Sequence, residues 1–232
     1  MVENKTKYRH ELKYVVSDGQ IALLKSRVAP LMQLDPYAGT DGMYNICSLY
    51  FDDYYNRCFY ENENGTDPRE KFRIRIYNHS TDRIKLECKR KERGKTHKAS
   101  CPLTLEQAES LLQGKVLPLT ETMPPLLKKL TIEMQVRKLC PVVIVEYERV
   151  PFVYRNGNVR VTFDMNVSSS SNLTDFFADF TSKRPIMQSG QHLLEVKFDE
   201  YLPDFIYRSL NLEQLQRTAY SKYYLCRKYS LK

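Results

Sequence analysis

Polar and apolar positions alternate with a period of two through most of the first half of the chain, as expected for strands with one buried face. Tyr8 to Val16 sets Arg9, Glu11 and Lys13 on one face and His10, Leu12 and Tyr14 on the other. A second strand is predicted from Ile46 to Asp52. From Lys71 to Tyr77, Lys71, Arg73, Arg75 and Tyr77 share a face opposite Phe72, Ile74 and Ile76. Across a turn at Asn78 to Asp82, Arg83 to Lys91 repeats the pattern with Lys85, Glu87, Lys89 and Lys91, and Lys95 to Cys101 follows beyond Gly94. Val142 to Val153 is β-branched, Val159 to Asp164 follows the hairpin signal Asn156-Gly157, and Leu193 to Phe198 is the last strand. Ser168 to Ser171 reads as a mobile, serine-rich loop.

Helical signals interrupt this pattern. Ser17 can cap a helix that runs to Ala29 and stops at Pro30. Thr104 and Gln107 form a capping box for a helix ending at Gly114, and Pro124 opens another that reaches Arg137. Asp204 to Leu210 and Thr218 to Tyr229 make a helical tail. Eight strands, about five helices and short connections predict an α+β fold in a single domain, residues 1–232. Eight antiparallel strands can close into a barrel, which removes their exposed edges. Several strands pair an apolar face with a charged one, carrying Arg73, Arg75, Lys85, Glu87, Lys89, Arg149, Arg160, Glu195 and Lys197. Those charges could face water outside a barrel. Facing inward, they would need an anion and solvent to offset the cost of burial.

Charge sharpens that choice. The 232 residues carry 36 Lys+Arg and 28 Asp+Glu, a formal balance of +8. Arg69 to Lys98 alone holds twelve basic and four acidic residues, so the whole excess lies in one stretch. Such focusing suits an anionic partner. The 17 Tyr and 10 Phe exclude a disordered chain. No window approaches the ~18 apolar residues of a spanning helix, and Met1 to His10 lacks the apolar stretch of a signal peptide. Six scattered cysteines without metal-ligand spacing read as reduced thiols of a cytoplasmic protein.

The Arg73-x-Arg75 pair presents two planar forks suited to phosphate oxygens. Glu-x-Lys recurs at Glu11-Leu12-Lys13, Glu87-Cys88-Lys89 and Glu195-Val196-Lys197, on strands far apart in sequence. Its carboxylates could hold a divalent metal and its amines phosphates. Gly94-Lys95-Thr96 fails as a P-loop because Lys89 occupies the required glycine position. No nucleophile-and-base signature for acyl transfer is present, and the four histidines have no metal spacing. Phe72 and Tyr77 among basic residues invite a nucleic-acid reading, but no recognition motif accompanies them.

Taken in order, these strings resemble a known family. Tyr8-Arg9-His10-Glu11-Leu12-Lys13-Tyr14, Ser48-Leu49-Tyr50-Phe51-Asp52, Phe72-Arg73-Ile74-Arg75, Leu86-Glu87-Cys88-Lys89, Tyr147-Glu148-Arg149, Val159 to Asp164, Leu194-Glu195-Val196-Lys197 and Ser221-Lys222-Tyr223 are similar to the VTC domain. This is the catalytic domain of polyphosphate polymerases, within the triphosphate tunnel metalloenzymes and related to the CYTH proteins. The resemblance implies an eight-stranded antiparallel tunnel barrel with peripheral helices and a basic lumen. It implies that Lys13, Arg73, Arg75, Lys89, Lys98, Arg149 and Arg160 line that lumen, with Tyr147 beside them. Glu195 would bind the metal, Mn²⁺ or Mg²⁺, and Ser221 and Lys222 would approach from the last helix. Glu11, as a second metal ligand, and Lys197, as a phosphate contact, join on the agreement of their strand faces. Hydrolytic relatives open with Glu-x-Glu-x-Lys, where this chain has Arg9, Glu11 and Lys13.

The resulting expectation is transfer of the ATP γ-phosphoryl group onto polyphosphate inside the barrel. Arg73, Arg75 and Lys89 would grip the donor, and Arg149, Arg160 and Lys98 the acceptor. An inorganic or nucleoside triphosphatase of the same fold and a non-catalytic module binding polyphosphate or nucleotide are the alternatives. ATP and polyphosphate are the expected partners, without nucleic acid or membrane insertion. The family also allows a membrane-protein partner, and the sequence does not set an oligomeric state.

Overall fold

The structure, a computed structural model, describes residues 8–178 and 182–231. Ten strands occur in chain order: β1 (His10–Ser17), the two-residue β2 (Gln33–Leu34), β3 (Tyr44–Asp52), β4 (Arg69–Tyr77), β5 (Ser80–Glu92), β6 (Lys95–Pro102), β7 (Cys140–Tyr154), β8 (Val159–Ser170), the two-residue β9 (Arg184–Pro185) and β10 (Gln191–Phe198). Six α-helices accompany them among the described residues: α1 (Asp18–Val28), α2 (Arg57–Glu63), α3 (Leu105–Leu112), α4 (Pro125–Val136), α5 (Asp204–Ser209) and α6 (Lys222–Ser230). The eight long strands form one antiparallel sheet in the order β1-β10-β8-β7-β3-β4-β5-β6. Its ends meet where Arg9 and Thr96 exchange two backbone hydrogen bonds, of 2.9 and 3.0 Å. The fold is the antiparallel α+β barrel that the alternation predicts.

The barrel is inverted in polarity. Its outer face is apolar and is covered by helices. Ile21, Leu24 and Val28 of α1 and Ile206 of α5 bury Val16, Val150, Phe152, Val161, Phe163, Leu194 and Val196. Leu111 of α3 and Leu127, Leu130 and Met134 of α4 bury Leu49, Phe72, Ile74, Ile76, Leu86 and Ile144. Since side chains alternate across a strand, the polar residues between these positions turn inward.

A third apolar cluster lies inside one end of the barrel. There Val143, Val145, Val167 and Leu193 meet Phe59 of α2 and Tyr223 and Cys226 of α6. Sequence patterning misses α2, because its N-cap Asn56 has φ 53° and no side-chain cap. Buried residues upstream supply the cap instead. The Asp52 carboxylate accepts from the Cys58 and Phe59 amides at 2.9 and 3.1 Å, and Asp53 accepts from Arg57 N at 2.9 Å. The Tyr223 hydroxyl also donates to Asp52, so one buried carboxylate ties α6 to the start of α2.

Other local differences have physical reasons. Ser168, Ser169 and Ser170 are not a mobile loop; they are buried and continue β8, pairing with Glu146, Val145 and Ile144 of β7. The β4–β5 turn shortens to Asn78 and His79, both with positive φ, which matches the twist of a two-residue hairpin. The β7–β8 connection takes four residues, and Gly157 at φ 71° comes so near Tyr201 that a Cβ would lie 2.7 Å from its carbonyl oxygen. The tail is extended before α6, since Thr218 N donates to the Lys13 carbonyl at 2.9 Å. All six cysteines are free thiols.

Replacing Tyr223 with Phe removes one donor from buried Asp52 and keeps the ring in place. Urea denaturation is expected to show a loss of about 1–3 kcal/mol, with an unchanged m-value.

Candidate active site in the barrel lumen

Cross-strand register places the charged residues on one surface. Glu11 faces Lys197, and Lys13 faces Glu195. Glu195 and Lys197 in turn face Thr162 and Arg160, and Arg149 faces Asp164 and Tyr44. Arg73 and Arg75 face Tyr50 and Ser48 on one side and Glu87 and Lys85 on the other. Lys89 faces Lys71 and Lys98. Twelve basic strand residues therefore share the inner face: Lys13, Arg69, Lys71, Arg73, Arg75, Lys85, Lys89, Lys91, Lys98, Arg149, Arg160 and Lys197. Among the described residues, four strand carboxylates lie between these cations: Glu11, Glu87, Asp164 and Glu195.

The carboxylates organise the cations into groups. Glu87 is 1% exposed. It accepts from Arg73 Nε and Nη2 at 2.8 and 2.6 Å and from Lys98 Nζ at 2.9 Å, with Arg75 at 3.7 Å. Arg73 also donates to the Tyr50 hydroxyl at 2.8 Å, and Arg75 to Ser48 at 3.0 Å and Tyr147 at 3.3 Å. Burial alone would raise the Glu87 pKa; Arg73, Arg75 and Lys98 outweigh it and hold the carboxyl well below its usual range.

Across the lumen, Arg149 grips Asp164 with both arms of its fork at 2.6 and 2.7 Å. Lys222, the first residue of α6, reaches in to Asp164 at 2.5 Å and Glu195 at 2.8 Å. Lys197 lies 2.6 Å from Glu195, and Lys13 and Arg149 lie at 3.5 Å. Burial opposes ionisation of Glu195, but Lys197, Lys222, Lys13 and Arg149 overcome it. Lys89 bonds Glu11 at 2.6 Å, and burial pulls its own pKa down to about 8. The Tyr147 ring packs under Lys222 and Arg149 at 4.7 and 5.2 Å. Ser221 caps α6, accepting from Tyr224 N at 3.3 Å.

The sequence-derived candidates thus share one space. Lys98 belongs with Arg73 and Arg75, through Glu87. Arg160 bonds Asp35 and, at 2.9 Å, the Tyr44 hydroxyl, at the β2 side of the lumen. Arg9 turns to Asp199 at 3.0 Å and leaves Glu11 as the one inward carboxylate of β1. Lys71, Asp164, Tyr50 and Ser48 are lumen residues that the motif reading left out. Strand parity placed Lys71 beside Arg73, and the Asp164 position carried the same signal beside Arg160 and Thr162.

Among the described residues, no three His, Cys, Asp or Glu side chains form a metal cage. Glu195 and Glu11 are linked through Lys13 and Lys197, and the register partner of Glu195, Thr162, has a buried hydroxyl oxygen with no bonding partner. These hard oxygen donors suit a divalent cation that takes its remaining ligands from water and phosphate.

The VTC domain family model matches residues 8–231. The chain belongs to the VTC domain family. Its barrel is similar to that of a putative adenylyl cyclase from Hippeastrum, described as having a dominant triphosphatase activity; identity is 14%, TM-score 0.56, and coverage 96% of this chain and 95% of that one. A protein from Pyrococcus horikoshii is similar at 14% identity and TM-score 0.50, covering 97% and 100%. At such identity these likenesses concern the fold. No curated protein matches the chain. No described helix of this VTC domain is long and apolar enough to cross a membrane.

Among the described residues no carboxylate lies within ion-pair distance of Lys71, and burial followed by Arg69 lowers its pKa to about 7. The unfolded chain, with a lysine pKa of about 10.4, binds more protons between those values. Stability carried by Lys71 therefore rises with pH over that window. The wild-type urea midpoint, measured relative to Lys71→Met, is expected to climb from pH 7 to pH 10.

Proposed function

We propose that this VTC domain transfers the γ-phosphoryl group of ATP onto a polyphosphate chain held in the barrel lumen. The observation that carries this reading is the inward surface on which twelve strand cations face four carboxylates. Such an excess, partly buried, is costly without a polyanion and well suited to one. Membership of the VTC domain family supports polymerisation, and so does the arrangement of β1, where Arg9 leaves Glu11 as the single inward carboxylate.

Phosphoryl transfer asks little covalent chemistry of a protein. Arg73 and Arg75 offer guanidinium forks to the donor phosphates, and Tyr50, Ser48 and Glu87 fix both side chains in advance. Lys98 and Lys89 add charge beside them. Arg149, Arg160, Lys13, Lys197 and Lys222 bind and align the acceptor from the opposite wall. Because these cations are already oriented, they stabilise charge in the transition state with little reorganisation. Glu195, with Glu11, would hold Mn²⁺ or Mg²⁺, which supplies Lewis-acid neutralisation of phosphate oxygens when bound.

Hydrolysis of triphosphate is the second reading, favoured by the activity described for the Hippeastrum protein. One assay separates the two. Pure protein with ATP, Mn²⁺ and a short polyphosphate primer is expected to give ADP and a polyphosphate ladder on a gel. Orthophosphate without a ladder would replace transfer with hydrolysis, and phosphate-dependent binding with no turnover would leave a binding module.

Arg73→Lys keeps the positive charge beside buried Glu87 but removes the fork. Turnover is expected to fall by roughly 10²-fold or more while the thermal midpoint stays close to wild type. Arg73→Ala is a poorer probe, since breaking a buried ion pair costs about 3–5 kcal/mol by itself.

A further inference from the structure

Lys71 stands where α2 and α6 meet the lumen. Its ammonium donates to Asn62 Oδ1 of α2 at 2.8 Å and to the Ser221 hydroxyl, the α6 cap, at 3.5 Å. It also lies 4.8 Å from the centroid of the Tyr223 ring. Behind Tyr223 the interior is apolar and filled by Tyr50, Phe59, Val143, Val145 and Cys226. That apolar cluster offers no cation to a further phosphate. Lys71 is two residues from Arg73 on the same strand face, and Lys89 faces it across the sheet.

We propose that Lys71, Ser221 and Asn62 form a subsite for the terminal phosphate of a linear polyphosphate, so that the barrel recognises a chain end as well as a run of phosphates. This deepens the phosphate-transfer reading and rests on it.

Three observations support an end over an interior phosphate. Within contact distance the Lys71 ammonium meets neutral acceptors and an aromatic face, and Glu61 of α2 acts on it only from beyond ion-pair distance, so its charge is incompletely compensated. A terminal phosphate carries a second ionisation near pH 6 that interior phosphates lack, and so brings the extra negative charge. The α6 N-terminus adds a favourable dipole on the same side. The charged or titratable groups facing Lys71 are Arg69 on its own strand, Lys89 on β5, Lys13 on β1, and Cys58 and Glu61 on α2. With three cations among them and a pKa lowered to about 7, Lys71 gains a proton when an anion arrives at alkaline pH.

The test is calorimetric titration of the full chain at pH 8, in EDTA, with linear tripolyphosphate and with cyclic trimetaphosphate, which has no ends. Two buffers of different ionisation enthalpy report proton uptake. Wild type is expected to prefer the linear ligand by roughly tenfold or more and to take up protons with it. Lys71→Met is expected to lose that preference and part of the uptake while still binding the cyclic ligand. Lys71→Arg, always charged, should restore the preference without that part of the uptake. If Lys71→Met keeps the wild-type ratio, or weakens both ligands equally, the chain-end subsite is wrong although the lumen still binds phosphate. Wild-type protein that binds neither ligand overturns the phosphate reading and the subsite with it.

Discussion

Burying a charge costs several kcal/mol unless a partner offsets it, and this barrel turns twelve basic strand residues toward a common interior. That constraint shapes the rest of the molecule. Strands with charged inner faces must have apolar outer faces, and α1, α3, α4 and α5 cover them. The four carboxylates are too few to neutralise the interior. They act as struts, each shared by several cations, and fix where guanidinium and ammonium groups point. The unmatched remainder is the basis of the proposed polyanion site.

The same constraint explains the apolar cluster around α6. Where β7, β8 and β10 stop carrying charge, their inward residues become Val143, Val145, Val167 and Leu193. Tyr223 and Cys226 of α6 fill the space, and Asp52 anchors Tyr223 while capping α2. Thus α6 has two roles along its length. Its first residue delivers Lys222 to Asp164 and Glu195, and its next turns complete the apolar cluster.

Much of this was legible in the sequence, because period-two alternation records the two faces of a strand directly. Lys71, Arg73 and Arg75 opposite Phe72, Ile74 and Ile76 announced a surface with two opposed characters. Alternation alone does not say which face is inside; closure between Arg9 and Thr96 and the helix-covered apolar side decide that. What escaped depended on distant partners. The cap of α2 comes from Asp52 and Asp53 rather than its own N-cap, and the serines of β8 are held by pairing with β7. Asp164 and Lys71 escaped as site residues because their roles depend on α6, whose entry point no local pattern encodes.

The central claim is that the inward cations form one polyanion site. A crystal structure of the protein with tripolyphosphate tests it most directly. The account predicts a phosphate chain inside the barrel, within hydrogen-bonding distance of Arg73 and Arg75 on one wall and of Arg149 on the other. Phosphate density confined to the outer surface, with those side chains still paired only to Glu87 and Asp164, would contradict it.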